Sequence, residues 1–271
     1  MKIALFSDIH ANLPALEAFF ISIDQQKPDA IYCLGDLVGY NTWPNEVINA
    51  IRQRRIPTIA GNYDYGVGRT SDDCGCAYKT DEEKANGAIS ISYTNQLIKA
   101  DERAYLRTLP AHIKLEFQLN NDKLNLLLVH GSPRRVNEYL FEDREERSLS
   151  RIMQDAGADI MCFGHTHKPY HRILPSVLPA TDPANDRLHA ATAPPPHYRH
   201  AINIGSVGKP KDGAPRGGYV LLHINDRSST TDKESIRVEF IRFAYDVEKA
   251  ARAVEDSPLP RAFADALRNA R

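Results

Sequence analysis

Five short apolar runs of strand type each stop at one or two side chains of the kind that bind metal ions. "IALFSDIH" reaches Asp8 and His10, "IYCLGD" reaches Asp36, and "PTIAGN" reaches Asn62. "LNLLLVH" ends at His130, and "MCFGHTH" ends at His165 and His167. Helical patterns separate the first three runs. Leu13, Leu16, Phe19, Phe20 and Ile23 recur at spacings of three and four, with Pro14 suited to a first turn. Pro44 opens a second pattern that carries Val47, Ile48 and Ile51. Strand, helix, strand, helix, strand in that order requires crossover connections, so the early strands are expected to be parallel.

The remaining chain changes character. Residues 66–80 read as a loop. Residues 82–109 read as two helices broken near Asp101, a good N-cap residue, with Pro110 ending the second. "HIKLEFQL" (112–119), a turn at "NND" and "KLNLLLVH" (123–130) form a hairpin pattern. A charged helix is expected over 143–156 with Gly157 capping it, followed by a buried strand at 159–164. Residues 175–200 hold six prolines and read as a surface excursion. Strands return at 201–205, 217–224 and 235–243, and 245–271 reads as a tail with helices near 246–255 and 260–270. Parallel strands followed by antiparallel ones suggest two sheets packed face to face with helices outside. Residues 1–271 are expected to form one domain.

Composition excludes some functions. Lys plus Arg is 34 and Asp plus Glu 35, so no general field exists for a polyanion. Neither a basic stripe nor an aromatic platform for a nucleic-acid polymer stands out. No apolar run of membrane-spanning length occurs, and "MKIALFSDIH" lacks the shape of a signal peptide, so a cytoplasmic protein without a membrane partner is expected. The four cysteines are too few for a disulfide framework. Oligomeric state is left open.

Binding sites in open α/β sheets lie beyond the carboxyl ends of the strands. Five loops at one sheet edge could therefore converge, with Gly35, Gly61, Gly131 and Gly164 allowing positive φ and close approach beside the donors. Any one of these residues is ordinarily a helix cap or a polar end to a core strand. Their coincidence at five strand ends is not. Two Asp, one Asn and four His exceed what a single ion needs, and two ions sharing a carboxylate use them naturally. The mixed nitrogen and oxygen set suits Mn, Fe, Zn, Ni or Co, with manganese the first choice, and is too rich in imidazole for Mg or Ca.

The ordered set "DIH", "GD", "GNYD", "VHG" and "GHTH", with "INIGSVGKPKDGAPRGGYV" (202–220) after it, resembles the calcineurin-like metallophosphoesterases, small bacterial members in particular. The resemblance runs from Met1 to about Val254. It implies a four-layer α/β/β/α sandwich of two mixed sheets flanked by helices. It also implies that Asp8, His10 and His167 hold one metal, that Asn62, His130 and His165 hold the other, and that Asp36 bridges. A hydroxide between the ions would attack phosphorus in line.

Two positions depart from the family pattern. Ala11 replaces a usual glycine, and Tyr63 stands where many members carry a histidine thought to assist the leaving oxygen, oriented by the aspartate that Asp64 matches. A phenol donates a hydrogen bond but is a reluctant acid. Substrates needing little leaving-group protonation, such as small activated diesters or nucleotide phosphoanhydrides, therefore fit best. Tyr63 as a mere pocket wall is the equal alternative. Arg134 is a candidate phosphate clamp, Tyr40 and Asn41 are candidate pocket residues, and each has a plain packing or surface alternative. Cys74 and Cys76 suggest no site by themselves. A phosphomonoesterase or protein phosphatase of the same family, or a catalytically weak metal-binding scaffold, are the competing functions.

Overall fold

The computed structural model describes residues 1–120, 122–175 and 197–271. In chain order its elements begin with β1 (Lys2–Phe6), α1 (Leu13–Gln26), β2 (Ala30–Cys33), α2 (Pro44–Gln53), α3 (Asn62–Gly68), α4 (Asp81–Leu97) and α5 (Ala100–Thr108). A second group follows: β3 (His112–Gln118), β4 (Lys123–Val129), α6 (Glu146–Asp155), β5 (Ile160–Phe163), β6 (Tyr170–Pro175) and β7 (Tyr198–Asn203). The chain ends with β8 (Gly217–His223), β9 (Arg237–Phe243), α7 (Val247–Glu255) and α8 (Arg261–Asn269).

Alternation along β1 explains the layering, because successive strand side chains face opposite ways. Ile3 and Leu5 pack between two sheets with Leu126 and Leu128 of β4, Ile160 and Cys162 of β5, and Val220 and Leu222 of β8. Ala4 and Phe6 face the other way, into a core with Leu16 and Phe19 of α1, Val254 of α7 and Phe263 of α8. On the far sheet Leu127, Val129, Met161 and Phe163 meet Leu149, Ile152 and Met153 of α6. Each such side chain contributes about 1.5–3 kcal/mol on burial. The result is helices, sheet, sheet, helices.

The first sheet has the order β2-β1-β8-β9 and the second β3-β4-β5-β7-β6. β1 is parallel to β2 and antiparallel to β8, and β4, β5 and β7 run parallel. Both sheets are therefore mixed, as expected. Among the described residues, no helix is long and apolar enough to cross a membrane.

Several expected elements differ. The run 57–61 is not a strand. Thr58 makes one parallel bridge to Cys33, Pro57 has no N–H to extend it, and the Ala60 N–H turns away to the Pro110 carbonyl at 2.8 Å. The loop expected from residue 66 begins only after α3. The break between α4 and α5 falls at residues 98–99 rather than at Asp101, which lies in the first turn of α5. Asn45 sets that break: its Oδ1 accepts from Lys99 N at 2.9 Å, and its Nδ2 donates to Leu97 O at 3.0 Å. A distant side chain thus supplies the cap. The Pro-rich excursion is narrower than 175–200, since β6 runs to Pro175 and β7 starts at Tyr198, the two pairing antiparallel. Its residues 176–196 lie outside the described residues, as does residue 121 in the "NND" turn.

Candidate metal centre

The loops that carry the donors leave both sheets, not one edge of one sheet. Asp8 and His10 follow β1 and Asp36 follows β2 in the first sheet. His130 follows β4, and His165 and His167 follow β5, in the second. The face-to-face packing is what brings them together. The Asp8 N–H donates to Gly35 O at 2.9 Å, His10 N to Asp36 O at 2.9 Å and Gly164 N to His130 O at 2.9 Å, so each donor loop braces the next.

Two buried groups result. Donor atoms of Asp8, His10 and His167 lie within 4.8 Å of one another, and so do those of Asp36, His130 and His165. Within the first group His167 Nε2 is 3.1 Å from Asp8 Oδ1 and His10 Nε2 is 3.8 Å from it. Asp36 Oδ2 faces both groups, 3.6 Å from His10 Nε2 and 3.3 Å from His130 Nε2. Its other oxygen accepts from Tyr63 N at 2.9 Å. Asp8 is similarly divided: Oδ2 accepts from His165 N at 3.2 Å and from the Ser7 hydroxyl, while Oδ1 is buried without a hydrogen bond.

The donor set fits cations on chemical grounds. His10 Nδ1 is 3.0 Å from Val38 O, His130 Nδ1 is 2.8 Å from Leu34 O, and His167 Nδ1 is 2.5 Å from Lys209 O. A carbonyl only accepts, so Nδ1 carries a proton in all three rings and each Nε2 is the nitrogen turned to the centre. Yet His10 Nε2 and His167 Nε2 are 3.2 Å apart. Two facing lone pairs repel unless something positive lies between them. The side-chain oxygens Asp8 Oδ1 and Asn62 Oδ1, and the nitrogens His130 Nε2 and His165 Nε2, are also buried without hydrogen bonds. Such groups are costly to bury unpartnered. Divalent ions would satisfy all of them.

Titration follows the same layout. Burial outweighs the pull of Asp36 and lowers His10 to about 3, and burial together with the His130 charge lowers His165 to about 3. At His130 burial also disfavours the charge, but Asp36 and Asp8 prevail and push it up to about 10. Without another cation, Asp36 keeps a proton on His130.

Asn62 is held by its amide nitrogen, which donates to Cys74 O at 2.8 Å and Cys76 Sγ at 3.3 Å, leaving its oxygen free. Its neighbour Gly61 is obligatory, since a Cβ there would collide with the Asp36 carboxylate. Asp64 does not orient Tyr63. It accepts from Asp36 N at 2.7 Å, Leu37 N at 2.9 Å and Gly61 N at 3.0 Å, pinning the Asp36 loop to the start of α3. Burial and the Asp36 charge push its carboxyl up to about 7.

The Tyr63 ring lies edge-on to His10 at 5.4 Å between centroids, and its buried hydroxyl has no hydrogen bond. Tyr40 also walls the site, edge-on to His10 at 4.9 Å. Asn41 faces the backbone instead, donating to His10 O at 2.8 Å. Arg134 pairs with Glu138 on an exposed loop, with Nε 3.1 Å from Oε2, and among the described residues no hydrogen bond or ion pair joins it to the donors. Cys74 and Cys76 are free thiols.

Sequence reasoning missed two things. Positive φ falls mainly on the donors themselves rather than on their glycines: Asp8 (55°), His10 (50°), Asp36 (55°), His165 (66°) and His167 (60°) are all left-handed, whereas of the four glycines only Gly35 (90°) is. Each such residue costs about 1–3 kcal/mol, which the surrounding backbone bonds must hold in place. The second omission is the 205–211 loop. Val207 N donates to Ser7 O at 3.0 Å, Gly208 N to Asp8 O at 3.0 Å, and Lys211 N to His167 O at 3.4 Å, so the loop lies across both donor turns. Three glycines and a proline within "GSVGKPKDG" were the available signal, and the sequence reading used that stretch only for its resemblance.

Residues 1–227 match the model of the calcineurin-like phosphoesterase superfamily domain. An uncharacterized protein of Methanocaldococcus jannaschii is 31% identical over 95% of this chain and 93% of its own. The structure of a metallophosphoesterase from Sphaerobacter thermophilus superposes with a TM-score of 0.68 at 26% identity, covering 100% of this chain and 99% of that one. A hypothetical protein from Pyrococcus horikoshii shares the fold, with a TM-score of 0.72 at 20% identity over 100% of this chain and 98% of its own.

Proposed function

The chain belongs to the calcineurin-like phosphoesterase superfamily, and from that premise we propose that it hydrolyses a small phosphodiester or a nucleotide phosphoanhydride using two divalent transition metal ions, manganese foremost. The observation that carries the reading is Asp36 Oδ2, set between the imidazoles of His10 and His130 at 3.6 and 3.3 Å. Asp8, His10 and His167 would hold one ion, Asn62, His130 and His165 the other, and Asp36 both. When bound, such a pair supplies an activated water and neutralises charge on the phosphoryl oxygens.

The chain's own residues do the rest. Carbonyls of Val38, Leu34 and Lys209 fix three imidazoles in the Nε2-donor tautomer. Asp64 holds Asp36 in place through the backbone. Tyr63 offers its free hydroxyl as a hydrogen-bond donor to the leaving oxygen, and burial, with Tyr40 beside it, raises its phenol well above the ordinary value, so it stays protonated. A donor that cannot readily give up its proton favours leaving groups that need none.

Metal analysis of purified protein combined with manganese-supported hydrolysis of bis-p-nitrophenyl phosphate tests the function. Two ions per chain and turnover are expected. Bound metal without turnover of any phosphoester would favour a scaffold. For Tyr63, rates of Tyr63→Phe and Tyr63→His across leaving groups of graded pKa are expected to diverge. Tyr63→His should gain most on poor leaving groups, by up to about 10²-fold. An unchanged dependence would remove Tyr63 from the mechanism.

A further inference from the structure

Two lysines lie beside the centre without belonging to either donor group. Lys209 is only 7% exposed, and its Nζ lies 4.3 Å above the ring of Tyr40, the same ring that stands perpendicular to His10. Its backbone is fixed at both ends of the peptide unit: Lys209 N donates to Ser206 Oγ at 2.8 Å, and Lys209 O receives His167 Nδ1. Ser206 Oγ in turn donates to Asp8 O at 2.8 Å. Lys211 hangs from His167 O by its own N–H. Among the described residues, neither ammonium has a carboxylate within ion-pair distance.

A buried lysine with a structural role is ordinarily paired, because an uncompensated charge is expensive away from water. Here the nearby carboxylates, Asp8 and Asp36, are turned towards imidazoles. Neither carboxylate is turned to an ammonium, so the two lysines are short of negative charge. Metal ions would make the same pocket more positive still. What is missing is an anion beyond the one that the ions would take.

We infer that Lys209 and Lys211 form a subsite for a second phosphate of the substrate, adjacent to the phosphoryl group under attack, and that they select phosphoanhydrides such as nucleoside polyphosphates over esters with a single phosphorus. This deepens the phosphoesterase reading and rests on it for the position of the first phosphate. An ammonium suits the role as a compact point charge that follows phosphate without demanding one geometry. The Tyr40 face holds Lys209 in place when no ligand is present.

The test is calorimetric binding of AMP and of non-hydrolysable α,β-methylene-ADP to manganese-loaded protein, at one pH and ionic strength. Wild type is expected to bind the diphosphate at least tenfold more tightly than the monophosphate. Lys209→Met and Lys211→Met should each cut that preference at least threefold, and Lys211→Arg should keep it. Lys211 is only half-buried, so Lys211→Met remains informative if Lys209→Met does not fold. Equal affinity for the two ligands in wild type, or an undiminished preference in Lys211→Met, overturns the subsite. Turnover of bis-p-nitrophenyl phosphate is measured in parallel. Turnover without the preference sinks the subsite alone, and the preference without turnover of any phosphoester sinks the enzymatic reading while leaving the subsite standing.

Discussion

Two pairs of histidines in this molecule have nearly the same separation and opposite meanings. His10 and His167 approach at 3.2 Å between Nε2 atoms, and His171 and His200 approach at 3.0 Å between Nε2 and Nδ1. In the second pair one ring donates and the other accepts, so two neutral imidazoles satisfy each other. In the first pair both Nδ1 atoms are already committed to carbonyls, and two lone pairs are forced together beside two carboxylates. Distance alone does not distinguish a metal site from an ordinary buried pair. What distinguishes them is where the other nitrogen of each ring is spent.

The comparison breaks most sharply by deletion. His167→Ala should remove bound metal and lower kcat/KM by about 10³-fold or more. His200→Ala should leave metal content and turnover as they are and cost about 1–3 kcal/mol of stability, read by denaturant unfolding. Equal metal loss in both variants would erase the distinction.

A smaller effect sharpens it. Asn203 is buried, and its Nδ2 donates to Gly164 O and Thr166 Oγ1, each at 2.9 Å, which braces the turn between His165 and His167. Asn203→Ala should weaken metal affinity by about 10–100-fold with the fold intact. Titration with a competing chelator measures it, and an unchanged affinity would show that the strained turn holds itself.

A further effect is in pH. His200 is lowered from 6.5 to about 4, by burial first and by His171 second. The unfolded chain takes up that proton before the folded one does. The contribution of His200 to stability is therefore whole above pH 6.5 and is lost as the pH falls towards 4. The stability difference between wild type and His200→Asn should shrink across that window. A difference that stays constant would mean that the ring is not held neutral.

Much of this was legible in the sequence, and the reason is local. An apolar run that stops at a histidine or aspartate declares both a strand and its functional end, so β1, β2, β4 and β5 and the donors that follow them could be read from the chain. The run at 57–61 deceived because apolarity does not say whether a partner strand is in register to pair with it, and Pro57 removes an N–H where pairing would extend. The helix break at residues 98–99 was hidden because Asn45, far away in sequence, makes the cap. β6 was hidden because Tyr170–Pro175 has its antiparallel partner, β7, beyond a long proline-rich stretch. Lys209 and Lys211 were invisible for a related reason: a lysine in a glycine-containing loop looks solvated until tertiary packing buries it. The left-handed donors were unreadable, since Asp and His adopt positive φ more often than most residues but far too seldom for the sequence to announce it.

Anomalous diffraction from crystals soaked in manganese tests the central claim most directly. Two peaks per chain are predicted, one ringed by Asp8, His10 and His167, the other by Asn62, His130 and His165, with the Asp36 carboxylate touching both. A single peak, or two peaks of which neither touches Asp36, would contradict the shared centre on which the proposed chemistry depends.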